Sequence, residues 1–403
     1  MPEHVVVVGA GQAGASLVAK LRGLGHSGRI TLIGDEPALP YQRPPLSKKY
    51  LLGEVNAERL LLRPESFYDE NEIEVRTGVT VQGVDLTNQE IILENGALAY
   101  DLLALTTGST PRTLPAAIGG KLHGVYTVRT LADVDGMVDE FATGRHALVI
   151  GGGYIGLEAA AVARKMGVNV TLVEMAPRIL NRVAAPETAD FFRALHTENG
   201  VDLRENVGLS ELIGNEGRVT GAQLSDGTEL QVDFVIAGIG ILPETGLAEA
   251  AGLEIDNGIA TDARGRTSDH RVFAAGDCAS FPWHGERMRL ESVQNAIDQA
   301  EHVAGAMLGS LAPYLPQPWF WSDQYDCKLQ IAGLNTGYDK TVSRPGSRPT
   351  GRSIWYYRGT QLLAVDAIND PKAYMTGKRW IEAGQSPASD RIADAATDLR
   401  QAI

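Results

Sequence analysis

The stretch HVVVVGAGQAG (residues 4–14) joins an apolar β-branched run to three glycines at G-x-G-x-x-G spacing. The valines at 5–8 predict a short strand that is buried on both faces of a sheet. Gly9 permits a sharp turn, and Gly11 leaves no side chain between the backbone and a diphosphate. Gly14 lets the following helix, roughly residues 15–24, pack close to the strand, and the free N–H groups at its start would hold phosphate charge.

The same pattern occurs a second time, in HALVIGGGYIG (residues 146–156). Here the three glycines are Gly151, Gly153 and Gly156, and the predicted helix continues through Glu158 to Met166. A single G-x-G-x-x-G is weak evidence, because glycine-rich turns are common. Two copies, each between a strand and a helix, predict two dinucleotide sites.

Each copy is followed by a second strand that ends in an acid, as a ribose-binding carboxylate requires. RITLIGDE ends in Asp35 and Glu36, and NVTLVEMA carries Glu174. Asp35 lies 26 residues after Gly9, and Glu174 lies 23 residues after Gly151. Aligning the two strands places Glu174 opposite Gly34, so both Asp35 and Glu36 remain candidates for the first ribose.

Composition narrows the class of protein. With 403 residues, 44% of them hydrophobic, and 45 glycines, the chain is long enough for two or three α/β domains. The net charge of −14 argues against a nucleic-acid partner, and no apolar run is long enough to span a membrane. The start shows no signal-peptide pattern, and Cys278 and Cys327 form no C-x-x-C, which predicts a reduced, cytoplasmic protein.

The duplication extends beyond the glycines. DLLALTTGSTPR (101–112) matches DFVIAGIGILPE (233–244), with Gly108 opposite Gly240 and Pro111 opposite Pro243. The second unit is therefore predicted to be inserted at the end of the first. Hairpin strands are predicted in 73–85 with 94–101, and in 201–214 with 217–230, because N-G and D-G turn signals interrupt these stretches.

From about Pro316 the composition and pattern of the sequence change. Aromatic residues cluster in PWFWSDQY (318–325), and RSIWYYRGTQLLAVDAIN (352–369) alternates like a hairpin around Arg358 and Gly359. This pattern predicts a smaller α+β domain with an antiparallel sheet.

Both fingerprints and five further motifs carry a family resemblance: PYQRPPLSKKYL (40–51), VRTLAD (128–133), VFAAGDCA (272–279), LESVQNA (290–296) and PWFWSDQY (318–325). On these motifs the chain resembles the FAD-dependent, NADH-using ferredoxin reductases that serve Rieske oxygenases and bacterial cytochromes P450. The implied fold is α/β, with two Rossmann-like dinucleotide-binding domains and a small α+β C-terminal domain. The implied boundaries are 1–110 with 245–315 for FAD, 111–244 for NADH, and 316–403 for the C-terminal domain.

The resemblance also implies site residues. The implied FAD contacts are Gly9, Gly11, Gln12, Ala13, Gly14, Asp35 or Glu36, Lys48, Val81, Arg129, Asp277 and Val293. The implied NADH contacts are Gly151, Gly153, Tyr154, Ile155, Gly156, Glu158, Glu174, Gly238 and Gly240. Lys48 is expected near the flavin ring, Glu158 near the nicotinamide amide, and Trp321 over the flavin where electrons leave. Independently of the family, a strand-end Asp277 can accept hydrogen bonds from ribityl hydroxyls.

The implied function is electron transfer from NADH through FAD to an acidic 2Fe–2S ferredoxin. Two alternatives share the architecture. Disulfide reductases and NADH peroxidases need a redox cysteine beside the flavin, and neither residues 40–49 nor 151–167 contain one. A binding protein like apoptosis-inducing factor, which has this fold and binds DNA, is disfavoured by the acidic balance.

Charge is distributed unevenly along the chain. Residues 328–379 hold nine lysines and arginines against three acids, although the whole chain is acidic. We therefore expect the ferredoxin to dock between the FAD domain and this basic segment. Glu174 is expected to favour NADH by repelling a 2′-phosphate, although Arg178 and Arg182 stand close to it in sequence.

Overall fold

The computed structural model describes residues 2–403, which form two compact units, each built from three stretches of the chain. Unit 1 contains the residues up to Arg43, Ala57–Thr110 and Ile241–Pro318. Unit 2 contains Pro44–Asn56, Pro111–Gly240 and Trp319–Ile403.

The strands, in chain order, are β1 (His4–Val8), β2 (Arg29–Ile33), β3 (Ile73–Arg76), β4 (Val81–Asp85), β5 (Glu90–Leu93), β6 (Gly96–Ala99), β7 (Leu102–Leu105), β8 (Ser109–Pro111), β9 (Val125–Tyr126), β10 (His146–Ile150), β11 (Asn169–Glu174), β12 (Val201–Glu205), β13 (Leu209–Asn215), β14 (Arg218–Leu224), β15 (Glu229–Gln231), β16 (Phe234–Ala237), β17 (Ile241–Pro243), β18 (Ile259–Ala260), β19 (Val272–Ala274), β20 (Ala279–Trp283), β21 (Glu286–Met288), β22 (Trp319–Gln324), β23 (Cys327–Gly333), β24 (Lys340–Pro345), β25 (Arg352–Arg358) and β26 (Gln361–Ile368).

The α-helices are α1 (Gln12–Gly23), α2 (Glu65–Glu70), α3 (Leu131–Asp135), α4 (Tyr154–Lys165), α5 (Pro186–Glu198), α6 (Gly246–Ala250), α7 (Val293–Met307), α8 (Pro371–Glu382) and α9 (Ser389–Ala393). Short 3₁₀ turns stand at Pro44–Ser47, Ala57–Leu60, Ala116–Ile118, Val138–Glu140 and Leu399–Gln401. Within residues 2–403 no helix is both long and apolar enough to cross a membrane.

Unit 1 is organised around a parallel sheet in the order β19-β7-β1-β2-β3. Strand β1 is buried on both faces, as its valines predict. Val5 and Val7 pack in one core cluster with residues of α1 and α7, and Val6 and Val8 pack in a second cluster on the opposite face. This two-sided burial fixes the carboxyl end of β1, from which the first glycine turn begins.

One hairpin prediction in unit 1 is wrong. Strand β3 pairs parallel with β2 at the edge of the main sheet, whereas the antiparallel sheet beside it has the order β4-β5-β6. Residues 73–76 follow a helix and alternate only weakly, so a short edge strand of a parallel sheet looks like a hairpin arm. The N-G turn prediction is confirmed between β5 and β6.

Unit 2 repeats the plan with a parallel sheet in the order β12-β11-β10-β16-β9. The prediction for residues 201–214 is wrong in its first half, because β12 pairs parallel with β11. The second half is right: β13, β14 and β15 form an antiparallel sheet, and the turn after β14 lies at the predicted D-G.

The end of the chain forms an antiparallel sheet in the order β22-β23-β26-β25-β24, which confirms the predicted α+β character. The hairpin between β25 and β26 turns at Gly359, whose φ of 58° favours glycine. Helix α8 covers one face, where Trp380 packs 5.6 Å from Trp355 between ring centroids. The α/β fold class with a small C-terminal domain is thereby confirmed.

The units cut the sequence differently from the domain boundaries stated above. Pro44–Asn56 belongs to unit 2, although it falls within the predicted FAD domain. The C-terminal sheet also belongs to unit 2, where Thr188 on α5 donates a hydrogen bond to Asp366 on β26 at 2.7 Å. A sequence boundary cannot anticipate such bonds, because the partners are far apart along the chain.

Candidate functional site

The turn from β1 to α1 uses its three glycines for two different purposes. A Cβ atom on Gly9 would lie 2.2 Å from the carbonyl oxygen of Thr106, and one on Gly14 would lie 2.1 Å from the carbonyl oxygen of Gly9. Both positions therefore need glycine for packing alone. A Cβ on Gly11 would meet no atom within 4 Å. The space in front of Gly11 is left open by the protein.

The second turn repeats this arrangement. A Cβ on Gly151 would lie 2.3 Å from the carbonyl oxygen of Gly238, and one on Gly156 would lie 2.1 Å from that of Gly151. Again the middle glycine, Gly153, faces open space, with no atom within 4 Å of its Cβ position. Each turn thus leaves open space beside its middle glycine, as a bound diphosphate requires.

Helices α1 and α4 begin at these open spaces without a capping side chain. Gly11 is the N-cap of α1 and Gly153 is the N-cap of α4, so neither supplies an oxygen to the first N–H groups. Unsatisfied N–H groups at the positive end of a helix dipole bind phosphate. Both turns therefore fit a dinucleotide diphosphate, one in each unit.

The residues that follow the glycines occupy the first turns of these helices. Gln12 and Ala13 open α1, and Tyr154 and Ile155 open α4. Ile155 is 43% exposed, and the Tyr154 ring stacks on Phe320 at 4.9 Å between centroids. The buried Tyr154 hydroxyl has no hydrogen-bond partner among the described residues, and burial raises its pKa well above the usual value.

The acid after β11 is tied to the second glycine turn. Glu174 accepts the N–H of Gly152 on Oε2 and the N–H of Ala176 on Oε1, each at 2.7 Å. Its carboxylate is held at the strand end beside the turn, with acceptor sites left for ribose hydroxyls.

After β2 no acid occupies the position that corresponds to Glu174. The strand registers Val8↔Ile33 and Ile150↔Val173 place Gly34 at the position that Glu174 occupies in unit 2. A side chain there would collide with Ala10, whose Cβ lies 2.5 Å from the Cβ position of Gly34.

The two candidate ribose-binding acids of unit 1, Asp35 and Glu36, differ in their hydrogen bonds and ion pairs. Glu36 accepts a hydrogen bond from the Tyr41 hydroxyl at 2.6 Å and forms an ion pair with Arg43 at 2.5 Å. Asp35 is exposed and makes no side-chain hydrogen bond or ion pair within residues 2–403. Asp35 is therefore the more open of these two acids, because all of its acceptor sites are available to a ribose, whereas Glu36 already uses part of its acceptor capacity.

The remaining unit 1 candidates lie on three separate elements. Asp277 follows β19, and its Oδ2 accepts a hydrogen bond from Ser109 at 2.8 Å. The preceding Gly276 approaches the first fingerprint, since a Cβ there would lie 3.0 Å from that of Ala13. Val293 is the first residue of α7, and Val81 begins β4, where it is 8% exposed.

The most strongly connected site residue is Glu158 in the second turn of α4. Its side chain is 5% exposed and forms an ion pair with Lys48, whose Nζ lies 2.5 Å from Oε2. The hydroxyl of Ser47 donates to the same oxygen at 2.8 Å. The hydroxyl of Ser322 donates to Oε1 at 2.6 Å. The structure thus brings together Lys48 and Glu158, which the sequence analysis connected with two different cofactors.

Arg129 and Trp321 are two further candidates in unit 2. Arg129 precedes α3, and its backbone N–H donates to Asp133 within a capping box begun by Thr130. Trp321 lies half-buried in β22, its ring 5.5 Å from that of Trp319.

Gly238 and Gly240 follow β16 and lie beside the second fingerprint. The first packs on Gly151 and Gly156, as the distances above require. Gly240 has a φ of 100° and stands beside the side chains of Arg112 and Arg182.

Sequence reasoning missed the residues around Glu158, namely Ser47, Ser322, Gln324 and His196. A usable signal was present in PWFWSDQY. Ser322 and Gln324 share one face of a strand with Phe320, because side chains two apart point the same way. Two polar residues beside an aromatic residue on one face of a strand indicate buried hydrogen bonds.

The cysteines are free and buried. Cys278 is fully buried, and burial raises its pKa. Burial also raises the pKa of Cys327 to about 11. Both thiols are protonated at neutral pH and are poor nucleophiles.

Two family models cover nearly the whole chain. Residues 3–300 match the pyridine nucleotide-disulphide oxidoreductases, and residues 319–403 match the C-terminal domain of reductases. The chain is similar to a ferredoxin–NAD(P)⁺ reductase of Sphingomonas sp., with 45% identity across 94% of this chain and 92% of that protein. It is 40% identical to the putidaredoxin reductase of Pseudomonas putida, across 100% of this chain and 97% of that one.

Solved structures give the same result. The reductase in a covalent putidaredoxin reductase–putidaredoxin complex is 40% identical and matches with a TM-score of 0.95, covering 99% of this chain and 97% of that one. A ferredoxin reductase from Rhodopseudomonas palustris also gives 0.95, with 39% identity and 99% coverage of both chains. The chain therefore belongs to the pyridine nucleotide-disulphide oxidoreductases, and among them to the ferredoxin reductases.

Proposed function

We propose that this protein is an FAD-dependent NADH:ferredoxin oxidoreductase that supplies electrons to an oxygenase of the Rieske or cytochrome P450 class. The observation that carries the proposal is the duplicated glycine turn. In each copy two glycines are required by packing, whereas the middle glycine is required by nothing in the protein. A chain that keeps this space open twice is built to hold two dinucleotides.

Unit 1 would hold FAD. The N–H groups at the start of α1 would bind the diphosphate in front of Gly11, and Asp35 would accept hydrogen bonds from the adenosine ribose. Asp277, whose Oδ2 already accepts a hydrogen bond from Ser109, would accept hydrogen bonds from the hydroxyl groups of the ribityl chain. Gln12, Ala13, Val81 and Val293 would complete the contacts. Bound FAD supplies a two-electron acceptor that can pass electrons on singly.

Unit 2 would hold NADH. The start of α4, with Gly153, Tyr154 and Ile155, would bind its diphosphate, and Glu174 would bind its adenosine ribose. Glu158, anchored by Lys48, would accept a hydrogen bond from the nicotinamide carboxamide and orient the reacting ring. No general base is needed, because the transferred group is a hydride.

Some assignments rest on the family pattern. Arg129, Gly238 and Gly240 are proposed cofactor contacts, and Trp321 is proposed to cover the flavin on the side where electrons leave. Lys48 is proposed to favour the negative charge of reduced flavin, in addition to its bond with Glu158.

The electron acceptor is a 2Fe–2S ferredoxin of acidic character. This proposal is supported by the crystallised putidaredoxin reductase that was captured with putidaredoxin, since the alignment with that reductase covers 99% of this chain. We place the reaction in the cytoplasm, where NADH is produced and where free thiols such as Cys278 and Cys327 stay reduced.

The test begins with the purified holoprotein. We expect a yellow protein that releases FAD on denaturation and that NADH bleaches under anaerobic conditions. Addition of a 2Fe–2S ferredoxin, with cytochrome c as the final acceptor, should give continuous NADH oxidation. The proposal fails if NADH bleaches the flavin but the electrons reach only a disulfide or a peroxide, because those are the reactions of the competing classes.

A further inference from the structure

Glu158 on α4 is the end of a series of hydrogen-bonded, buried side chains that continues through β22 to α5 in unit 2. Ser322 donates to its Oε1 at 2.6 Å, and Gln324 Nε2 lies 3.1 Å from the Ser322 hydroxyl. Gln324 Oε1 lies 2.8 Å from Nε2 of His196, on α5. The Tyr325 hydroxyl lies 3.4 Å from Nδ1 of the same histidine.

The chemistry of Glu158 fixes the direction of every bond in this chain. A carboxylate only accepts, so the single hydroxyl proton of Ser322 is committed to Oε1. Ser322 must then accept from the NH₂ group of Gln324, which turns the amide oxygen towards His196. Since an amide oxygen only accepts, His196 carries its proton on Nε2 and leaves Nδ1 to accept from Tyr325.

The side chains that lead to Glu158 are buried and carry no charge at neutral pH. Ser322 and His196 are fully buried, and Gln324 is 1% exposed. Burial lowers the pKa of His196 to about 4, so at neutral pH it has only one N–H. The amide of Gln324 separates the histidine from the carboxylate and holds a fixed bond direction. The chain therefore orients Glu158.

We propose that Ser322, Gln324 and His196 are positioning residues for hydride transfer. They hold Oε1 of Glu158 from one side, so that Oε2 stays against Ser47 and Lys48 on the other. This inference rests on the proposed function, in which Glu158 orients the nicotinamide. Because the adenosine and diphosphate groups bind elsewhere, a loosened Glu158 should affect the reacting end of NADH more than its affinity.

The experiment measures flavin reduction by NADH in anaerobic stopped flow, on holoenzyme whose FAD content is checked for each variant. Ser322→Ala should lower the limiting rate of reduction about tenfold, because one charge-assisted hydrogen bond to Glu158 is lost. The Kd for NAD⁺, measured by calorimetry, should change by less than about threefold.

The matched control is Ser353→Ala. Ser353 is also fully buried and lies in the same sheet, but its hydroxyl accepts from the Trp355 indole N–H at 2.9 Å instead. We expect this variant to reduce its flavin at the wild-type rate. If Ser322→Ala yields no holoenzyme, Gln324→Met takes its place. This variant keeps the Ser322 hydroxyl but removes the amide N–H group that donates to it, and it should also slow flavin reduction.

A double-mutant cycle separates positioning from general loosening. In a Glu158→Ala background, Ser322→Ala should have almost no further effect on the rate, and it should lower the melting temperature by less than in the wild type. An equal slowing in both backgrounds, or equal rates for the Ser322 and Ser353 variants, overturns the inference. A wild-type flavin that NADH does not reduce would instead overturn the proposed function.

Discussion

At the β1–α1 turn, the effect of adding a side chain should depend on which glycine receives it. Gly11→Val fills open space, so the apoprotein should fold with a melting temperature close to that of wild-type apoprotein. FAD affinity should fall more than about a hundredfold, because the valine methyls occupy the diphosphate position. Flavin content and apoprotein melting curves check both statements.

Gly14→Val is the control for that variant. Its Cβ would lie 2.1 Å from a backbone oxygen, so it should lower the melting temperature of the apoprotein itself. Full flavin content in Gly11→Val would show that the first fingerprint does not hold FAD.

Glu174 sets the preference for the nicotinamide coenzyme in this proposal. Its carboxylate lies at the strand end, held by two backbone N–H groups, where it would repel a 2′-phosphate. Glu174→Ala should lower the ratio of kcat/KM for NADH over NADPH by about tenfold or more. Equal kcat/KM values for NADH and NADPH in the wild type would show that Glu174 does not discriminate between the two coenzymes.

The two thiols should be dispensable for electron transfer. Both are buried, and burial raises the pKa of each. The double variant Cys278→Ser and Cys327→Ser should keep NADH–ferredoxin turnover, with a lower melting temperature from the loss of packing. Loss of turnover in a folded, flavin-loaded double variant would revive the disulfide-reductase alternative.

At the scale of elements, strand β26 carries a buried acid whose titration should be visible in stability. Asp366 accepts from Thr188 and Tyr356 on Oδ2, while burial raises its pKa to about 6. The unfolded chain has an aspartate pKa near 3.9, so the folded state binds the proton more tightly. The resulting stability is complete below about pH 4 and is lost as pH rises to about 6.

Asp366→Asn should remove this dependence. The free energy of unfolding of the wild type relative to the variant should fall by about 2 kcal/mol between pH 4 and pH 6.5, measured by urea titration. Tyr154 and Tyr356 face this acid, and both have raised pKa values, so neither titrates in the window. A difference that stays constant with pH would mean that Asp366 is already ionised in the folded protein.

The two glycine turns could be predicted from the sequence, whereas the side chains that surround Glu158 could not. Each glycine turn is local: strand, turn and helix lie within twenty residues, and their periodicity is strong. β3 and β12 were misread because a four- or five-residue edge strand carries no signal of its partner's direction. The chain from Ser322 to His196 was missed because it joins elements more than a hundred residues apart.

For the whole molecule, the structure revises the electrostatic argument for ferredoxin docking. Arg344, counted among the basic residues, is 8% exposed and donates to four backbone carbonyl groups, so it contributes little to a surface field. Lys372 and Lys378 pair with Asp398 and Glu382, which lie beyond the stretch whose charges were counted. Arg379 on α8 is exposed and has no ion-pair partner within residues 2–403.

Charge reversal at Arg379 is therefore the more direct test of whether the ferredoxin docks at the basic segment 328–379. Arg379→Glu should raise the KM for ferredoxin about threefold or more and weaken its salt dependence. The KM for NADH with ferricyanide as acceptor should not change. Swapping the pair, Lys378→Glu with Glu382→Lys, keeps the local charge and should leave the ferredoxin KM unchanged. If Arg379→Glu behaves like the swap, the ferredoxin docks elsewhere.

The distribution of unit 1 over the chain also bears on how the protein is made. Helix α1 packs against α7, and residues such as Leu17 and Leu21 are fully buried in their shared core. During translation α1 leaves the ribosome long before α7 is synthesised, so its apolar face has no native partner for most of the elongation time. We expect nascent chains that end before Val293 to bind chaperones and to be degraded rapidly by protease, however favourable the local sequence of the first glycine turn.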